Sequence, residues 1–306
     1  MRACEFPMAQ HPVDSLRRTI ETVRGTVEYA SIGEGDPVLV LHGMPGGFDQ
    51  GILGFDWIAD AGLRLIAPSR PGYLGTPLSS GESYQAAADA YAALLDGLHI
   101  DQVSVVAISG GGPSAYLFAI RHPDRIKRLV TIDCIAMQTP MPADFNGLAS
   151  KLYFSDAGQK LFYWLARKYP RFILSQLIKD NSHLTTEEIN DQVKIAMQDQ
   201  NQVKSMLRIL KTMGQFPLRK AGVLNDIKQF TTMAPIELAE IRCPTLIVHG
   251  THDNLLLYQA VFASNQIAGS QCLFVMKGSH FCAWIHPDAA RTQKTIIEFL
   301  KGTSLH

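Results

Sequence analysis

The sequence predicts an α/β protein with a mostly parallel, doubly wound sheet and an inserted helical segment. Two observations carry this prediction. Short, almost continuous apolar runs alternate with segments of helical apolar spacing, and such runs fit strands of a parallel sheet that is covered on both faces. The strand pattern stops between residues 137 and 236 and then returns. The chain is therefore expected to form one sheet domain interrupted by a helical insertion.

The first part of the chain supplies most of the predicted strands, which are residues 26–32, 37–41, 63–67, 103–108 and 129–132. Helical spacing predicts helices over 84–98 and 113–121. Pro113 suits the first turn of the second helix because its missing N–H costs nothing there. This alternation implies right-handed crossovers between parallel strands.

The predicted insertion consists of amphipathic helices. They are expected over 156–169, 170–179, a segment opened by a capping box from Thr185 to Glu188, and 201–213. Strands at 244–248 and 272–276 and helices at 255–267 and 287–300 complete the sheet. We expect residues 1–136 and 237–306 to form the core. Residues 137–236 should form a cap over the carboxyl ends of the strands, where ligands bind in open α/β sheets.

Charge and composition exclude several classes of partner. Lys plus Arg and Asp plus Glu both number 28, so no basic field attracts nucleic acid or an anionic membrane. The five cysteines form no CxxC pair, which argues against a disulfide framework or a zinc site. Without a secretory signal or an apolar run of about 18 residues, a cytoplasmic protein with no membrane span is expected. The oligomeric state is left open, and a homodimer is compatible with the sequence.

The candidate nucleophile is Ser109, which stands between the apolar run 103–108 and the helix that begins near Pro113. A serine on a sharp strand-to-helix turn needs small residues two positions before and after it, and Ala107 and Gly111 meet that need. A glycine-rich phosphate loop is the rival interpretation. The sequence around Ser109 lacks the Lys-Ser/Thr pair and the glycine spacing that such loops require.

Backbone N–H groups near Ser109 are candidates for an oxyanion hole. The glycine-rich stretch His42–Gly47 follows the strand at 37–41, so the N–H groups of Met44 and Gly110 are expected to face a developing negative charge. His42 precedes the hole and is expected to brace the loop.

The candidate base is His280 and the candidate acid is Asp253. Serine needs an adjacent base, and His280 lies on the loop after the last apolar strand. Asp253 follows the preceding strand and would fix the tautomer of the imidazole. Asp133, at the end of the strand at 129–132, is a rival acid.

Together these motifs resemble the α/β-hydrolase superfamily, in particular cap-bearing serine hydrolases of the esterase and proline-iminopeptidase-like kind. The resemblance spans about residues 26–300 and rests on LHGMPGG, SRPGYLGTP, AISGGG, GTHD and GSH in this order. It implies the α/β-hydrolase fold, a triad of Ser109, Asp253 and His280, and hole donors at Met44 and Gly110. Ala107 replaces the usual glycine. A serine nucleophile argues against epoxide hydrolases and haloalkane dehalogenases, which attack with a carboxylate.

The expected reaction is two-step acyl transfer on a carboxylic ester of a small, largely neutral or apolar acyl substrate, with no metal or organic cofactor. Phe162, Trp164 and Met213 in the insertion are the candidate pocket residues, and Arg70 is expected to brace its loop. Alternatives on the same triad are a proline-iminopeptidase-like aminopeptidase, a carbon–carbon bond hydrolase, a thioesterase and a lactonase. A non-catalytic receptor that uses the same pocket is the alternative outside enzyme classes.

Overall fold

The computed structural model describes residues 13–140, 155–255 and 257–303, and its centre is an eight-stranded sheet in the order β1-β2-β4-β3-β5-β6-β7-β8. β1 and β2 pair antiparallel, as do β2 and β4, and all other neighbours are parallel. The strands are Arg18–Thr22, Gly25–Ile32, Pro37–Leu41, Arg64–Pro68, Val103–Ile108, Ile126–Ile132, Thr245–Gly250 and Gln271–Val275.

Ten α-helices accompany the sheet in the described part of the chain. Their bounds, from α1 to α10, are Phe48–Asp60, Tyr84–Gly97, Gly112–Arg121, Asp156–Lys168, Pro170–Asp180, Thr186–Ala196, Gln200–Thr212, Lys220–Thr232, Tyr258–Gln266 and Ala289–Leu300. Helices α4–α8 all fall between β6 and β7. The predicted α/β class with a mostly parallel sheet is confirmed.

Helices cover both faces of the sheet because successive strand residues point to opposite sides. Val38 and Val40 of β3 pack in one apolar cluster with α1 and α10. Leu39 and Leu41 of the same strand pack in a second cluster with α2, α3 and α9. The central strand β5 is buried along its whole length. The carboxyl ends of the parallel strands therefore extend from a closely packed core.

Within the described part of the insertion, residues 137–140 and 155–236, the structure has helices α4–α8 and no strand. The capping box that opens α6 is present, with Thr185 and Glu188 exchanging hydrogen bonds. Residues 141–154 of the predicted cap lie outside the described residues. Helix α7 packs against α1 through Arg208, which pairs with Asp56, so part of the insertion is attached to the sheet domain.

Three elements were not predicted from the sequence: β1, α1 and α8. The edge strand β1 is partly exposed and has no apolar run. Helix α1 contains Gly51 and Gly54, which weaken the helical signal. Gly51 is nevertheless needed there, because a Cβ atom on it would lie 2.6 Å from the Ala67 Cβ of β4. Close packing of α1 on the sheet therefore explains why the helix contains Gly51, which weakens its helical pattern in the sequence.

Two further properties of the described residues bear on the sequence predictions. None of their helices combines the length and the apolar character that a membrane crossing requires. Cys134, Cys243, Cys272 and Cys282 are all free thiols.

Candidate active site

Ser109 lies at the sharp turn between β5 and α3. Its φ is +52°, in the left-handed region that a non-glycine residue seldom adopts. Gly111 makes the turn possible, because a Cβ atom there would lie 2.5 Å from the backbone oxygen of Leu41. The strained backbone turns Ser109 away from the sheet and into a cavity above it.

The predicted base and acid are in direct contact. His280 Nδ1 lies 2.8 Å from Asp253 Oδ2, and the other carboxylate oxygen of Asp253 accepts the N–H of Leu255 at 2.8 Å. The backbone N–H of His280 donates to Asn181 O at 3.1 Å, at the end of α5. Both ends of this pair are therefore held in place.

The electrostatics of the pair favour a charged imidazole and a charged carboxylate. Burial works against ionisation of Asp253, but the charge of His280 and its hydrogen bond outweigh burial and lower the pKa of Asp253. Burial also disfavours the imidazolium, yet Asp253 raises the pKa of His280 to about 9. Asp253 thus stabilises the state that His280 would reach after accepting a proton.

Asp133, the rival acid, lies behind this pair at the end of β6. It is fully buried, and it accepts the N–H of Gly250 at 2.8 Å and the thiol of Cys282 at 3.4 Å. Burial and the neighbouring Asp253 raise the pKa of Asp133 well above its usual range. Burial therefore disfavours the charged form of Asp133. Asp253, which contacts the imidazole, contributes more than Asp133 to the raised pKa of His280.

His249 separates the two carboxyl groups. Its ring nitrogens lie 3.6 Å from Asp133 and 3.6 Å from Asp253, and neither has a hydrogen-bond partner. Burial lowers the pKa of His249 to about 4, so the ring is neutral.

Asp133, Asp253 and His280 could also be considered as metal ligands. The side-chain atoms that could coordinate an ion lie within 4.8 Å of one another. Since His280 Nδ1 already pairs with Asp253, a metal ion there would have to break that hydrogen bond.

The glycine-rich loop after β3 packs directly on Ser109. A Cβ atom on Gly43 would lie 3.3 Å from the Ser109 Cβ, and one on Gly110 would lie 3.5 Å from the Met44 Cβ. The loop is closed by Gln50, which accepts the N–H of Gly43 at 3.0 Å and donates to Pro45 O at 3.0 Å. Met44 and Gly110, the two predicted hole donors, are thus neighbours beside the serine.

His42 braces this loop from behind. Its Nδ1 lies 2.8 Å from Gly43 O, and its Nε2 accepts the backbone N–H of Arg70 at 2.9 Å. Burial and the charge of Arg70 hold the pKa of His42 well below its usual value. A neutral ring with one donor and one acceptor nitrogen satisfies both contacts.

Two buried ion pairs, which were not predicted from the sequence, join the insertion to the loop after β4 and to the start of α1. Arg70 makes two hydrogen bonds to Asp226 of α8, at 3.0 and 2.5 Å, and both side chains are almost fully buried. Arg219, just before α8, donates to Gly46 O at 2.5 Å and to Asp49 at 2.6 Å. In the sequence these four residues appear only as charged residues next to apolar positions, and that pattern does not indicate which charges pair.

The cavity above Ser109 has a volume of about 440 Å³. Phe162 and Met213, two of the predicted pocket residues, line it together with Ser109, Met44 and His280. Its remaining described lining residues are Gly43, Gln50, Gly54, Phe55, Ile108, Gln176, Leu177, Asp180, Asn181, Ile209, Phe281 and Trp284.

Trp164, the third predicted pocket residue, is not brought to this cavity. It is 52% exposed, and Lys168 Nζ lies 4.9 Å from its ring centre. Trp164 and Phe162 are two positions apart on α4, and residues at that spacing do not share a helix face. Since Phe162 faces the cavity, Trp164 faces outward.

Ser109 and His280 line the same cavity, and within the described chain no hydrogen bond joins Ser109 Oγ to the ring of His280. Contacts of this kind are often long in a ligand-free enzyme and tighten in the substrate complex. The arrangement contains a strained serine, an imidazole paired with a carboxylate, and a glycine-rich loop at one end of an apolar cavity. These are the components of acyl transfer by a serine.

Comparison with known proteins identifies the family. A family model described as alpha/beta hydrolase fold matches residues 36–287. The chain belongs to the alpha/beta hydrolase fold family. An alpha/beta hydrolase fold protein from Nakamurella multipartita matches with a TM-score of 0.89 and 36% identity, over 93% of this chain and 99% of that one.

Curated relatives are similar to this chain over most of their own length. The uncharacterized hydrolase YcgS of Bacillus subtilis is 29% identical over 295 residues, 94% of this chain and 100% of that protein. The 2-hydroxy-6-oxononadienedioate/2-hydroxy-6-oxononatrienedioate hydrolase of Escherichia coli is 25% identical over 274 residues, 86% of this chain and 87% of that protein. The family and these relatives support a hydrolase.

Proposed function

We propose that the protein is a serine hydrolase that cleaves a carboxylic ester or a related acyl bond through an acyl-enzyme, with Ser109, His280 and Asp253 as its triad. The observation that carries the proposal is the 2.8 Å contact between His280 and Asp253 at a cavity that also contains the strained Ser109. The helical insertion is proposed to act as the cap of this cavity, since Phe162 and Met213 form part of its wall.

In the first step, Ser109 Oγ attacks the acyl carbon while Nε2 of His280 takes the hydroxyl proton. Negative charge develops on the carbonyl oxygen, and the N–H groups of Met44 and Gly110 stabilise it. The intermediate then collapses, the bond to the leaving oxygen breaks, and His280 donates its proton to that oxygen. A water molecule repeats the sequence on the acyl-enzyme and releases the acid.

A panel of p-nitrophenyl esters of increasing acyl length tests this reaction, with proline p-nitroanilide, a thioester and a lactone as alternative substrates. We expect turnover of an ester, and loss of nearly all kcat in Ser109→Ala. Ester turnover that survives in Ser109→Ala would refute the proposed nucleophile. Ligand binding without turnover of any substrate would favour the receptor hypothesis.

A carbon–carbon bond hydrolase is the second candidate, because the relative from Escherichia coli is named for the hydrolysis of a dioate. A dioate carries two carboxylates. Neither lysine nor arginine occurs among the described residues that line the cavity, and burial of an unpaired charge is costly. We therefore favour an ester whose acyl chain carries no carboxylate over a dicarboxylate.

A further inference from the structure

The polar residues of the cavity are unequal in what they offer to a substrate. Gln50 is occupied in holding the glycine-rich loop, and the amide of Asn181 donates to Leu177 O at 2.9 Å. Asp180 is the single acidic residue among the described lining residues, and neither lysine nor arginine accompanies it. The imidazole of His280 also lines the cavity, but its charge is paired with Asp253. The unpaired charge on this wall is therefore negative, and it favours a positively charged substrate group over a negatively charged one.

Asp180 is fixed close to the catalytic loops by contacts on both sides. It is the last residue of α5, and its carbonyl oxygen accepts a hydrogen bond from Asn254 at 2.6 Å. The next residue, Asn181, accepts the backbone N–H of His280, and Ser182 forms a β-bridge with Asp253. The position of Asp180 relative to the triad is thus set by backbone contacts and not by a free loop.

No ion pair or side-chain hydrogen bond joins the Asp180 carboxylate to another described residue. Asp180 is exposed as well as lining the cavity, so it stands where the cavity meets solvent. Gln176, one helical turn earlier, lines the same wall. An unpaired carboxylate at a cavity entrance attracts cations and repels anions, and salt weakens both effects.

We propose that Asp180 is a specificity-determining residue of this active site, which selects acyl substrates bearing an ammonium group over those bearing a carboxylate. The inference rests on the proposed function. The substrate class that fits is an ester with an apolar body, which packs on the walls formed by Phe55, Phe162 and Trp284, and a cationic end that reaches the entrance.

Two series of esters test the selectivity, because the charge could enter on the acyl side or on the alcohol side. The acyl series is the p-nitrophenyl esters of heptanoic acid, ε-aminocaproic acid and adipic acid as its monoester. The alcohol series is butyrylcholine, its uncharged tert-butyl analogue and the butyryl ester of glycolic acid. In at least one series, Asp180→Asn is expected to lower kcat/KM for the cation relative to the anion by roughly tenfold. The change should shrink at about 500 mM salt.

Asp191→Asn is the matched control, since Asp191 is an exposed carboxylate on α6 that does not line the cavity. It makes the same change in net charge and should leave the cation-to-anion ratio unchanged. If Asp180→Asn leaves the ratio unchanged in both series, or if Asp191→Asn alters it equally, the proposed role of Asp180 is wrong.

A binding measurement separates this result from a failure of the proposed chemistry. The neutral members of both series report whether the protein cleaves esters at all. If it does not, calorimetry with the non-hydrolysable amide analogues of the acyl series still measures the charge preference of the cavity. A preference for the cationic amide that is lost in Asp180→Asn supports the inference; equal binding of all three amides overturns it.

Discussion

Two carboxyl groups lie buried near His280, and their surroundings differ. Asp253 is hydrogen-bonded to the imidazole, whereas Asp133 accepts a backbone N–H and a thiol. We expect Asp253→Asn to lower kcat by about 10⁴-fold, because the amide no longer favours the required tautomer and charge. Asp133→Asn should lower kcat by less than about tenfold, because the Asp133 side chain bonds to Gly250 and Cys282 and makes no hydrogen bond to the imidazole. Steady-state kinetics of both variants on one ester measures the difference.

The pH dependence of the same two variants provides a control that a merely structural defect would not reproduce. His280 must be neutral to accept a proton, and Asp253 raises its pKa to about 9. In the wild type, kcat/KM should therefore increase with pH through a midpoint above the ordinary value for histidine. Asp253→Asn should move that midpoint to lower pH, and Asp133→Asn should move it less, because Asp253 contributes more than Asp133 to the raised pKa. Equal shifts would contradict the assignment of Asp253.

The residue types of the candidate site could be predicted from the sequence, but some choices between neighbours could not. Asp133 and Asp253 both follow strands that are adjacent in the sheet, so both reach the same edge. Only the loop after β7 decides which carboxylate meets His280. Phe162 and Trp164 were equal candidates for the pocket until the rotation of α4 was known.

At the scale of elements, α8 is attached to the loop after β4 by charge and not by apolar packing alone. Asp226→Ala would leave Arg70 buried without its partner, and we expect a loss of about 3–5 kcal/mol in the free energy of unfolding. Lys228→Ala on the same helix breaks an exposed pair with Glu82 and should cost at most about 1 kcal/mol. Denaturant unfolding measures both.

The double variant Arg70→Met/Asp226→Leu completes this comparison. Apolar residues of similar volume remove the buried charge together with its partner, so much of the lost stability should return. The account of α8 is wrong if Asp226→Ala lowers the free energy of unfolding by no more than Lys228→Ala does.

The helices that escaped prediction did so for a physical reason. Helix α8 carries Asp226 on its buried side, which breaks the apolar stripe that usually identifies a helix. Helix α1 carries Gly51 where it approaches Ala67 of β4. The contacts that explain Asp226 and Gly51 are made with residues distant in the sequence, so the local pattern does not indicate them.

At the scale of the whole molecule, burial on both sides of the sheet explains why the fold was predictable. Strands such as Val103–Ile108 are apolar throughout because each face meets a helix layer. The partly exposed edge strand β1 had no such signature. Alternation of strands and helices determined the order of elements, and that order brings Ser109, Asp253 and His280 to one end of the sheet.

The central claim is that this end of the sheet activates Ser109 as a nucleophile. Reaction of the intact protein with a fluorophosphonate probe, followed by mass spectrometry of the modified peptide, tests it most directly. We predict one modification, on Ser109, which is absent in Ser109→Ala and strongly slowed in His280→Ala. Modification of another residue, or modification of Ser109 at the same rate without His280, would contradict the account.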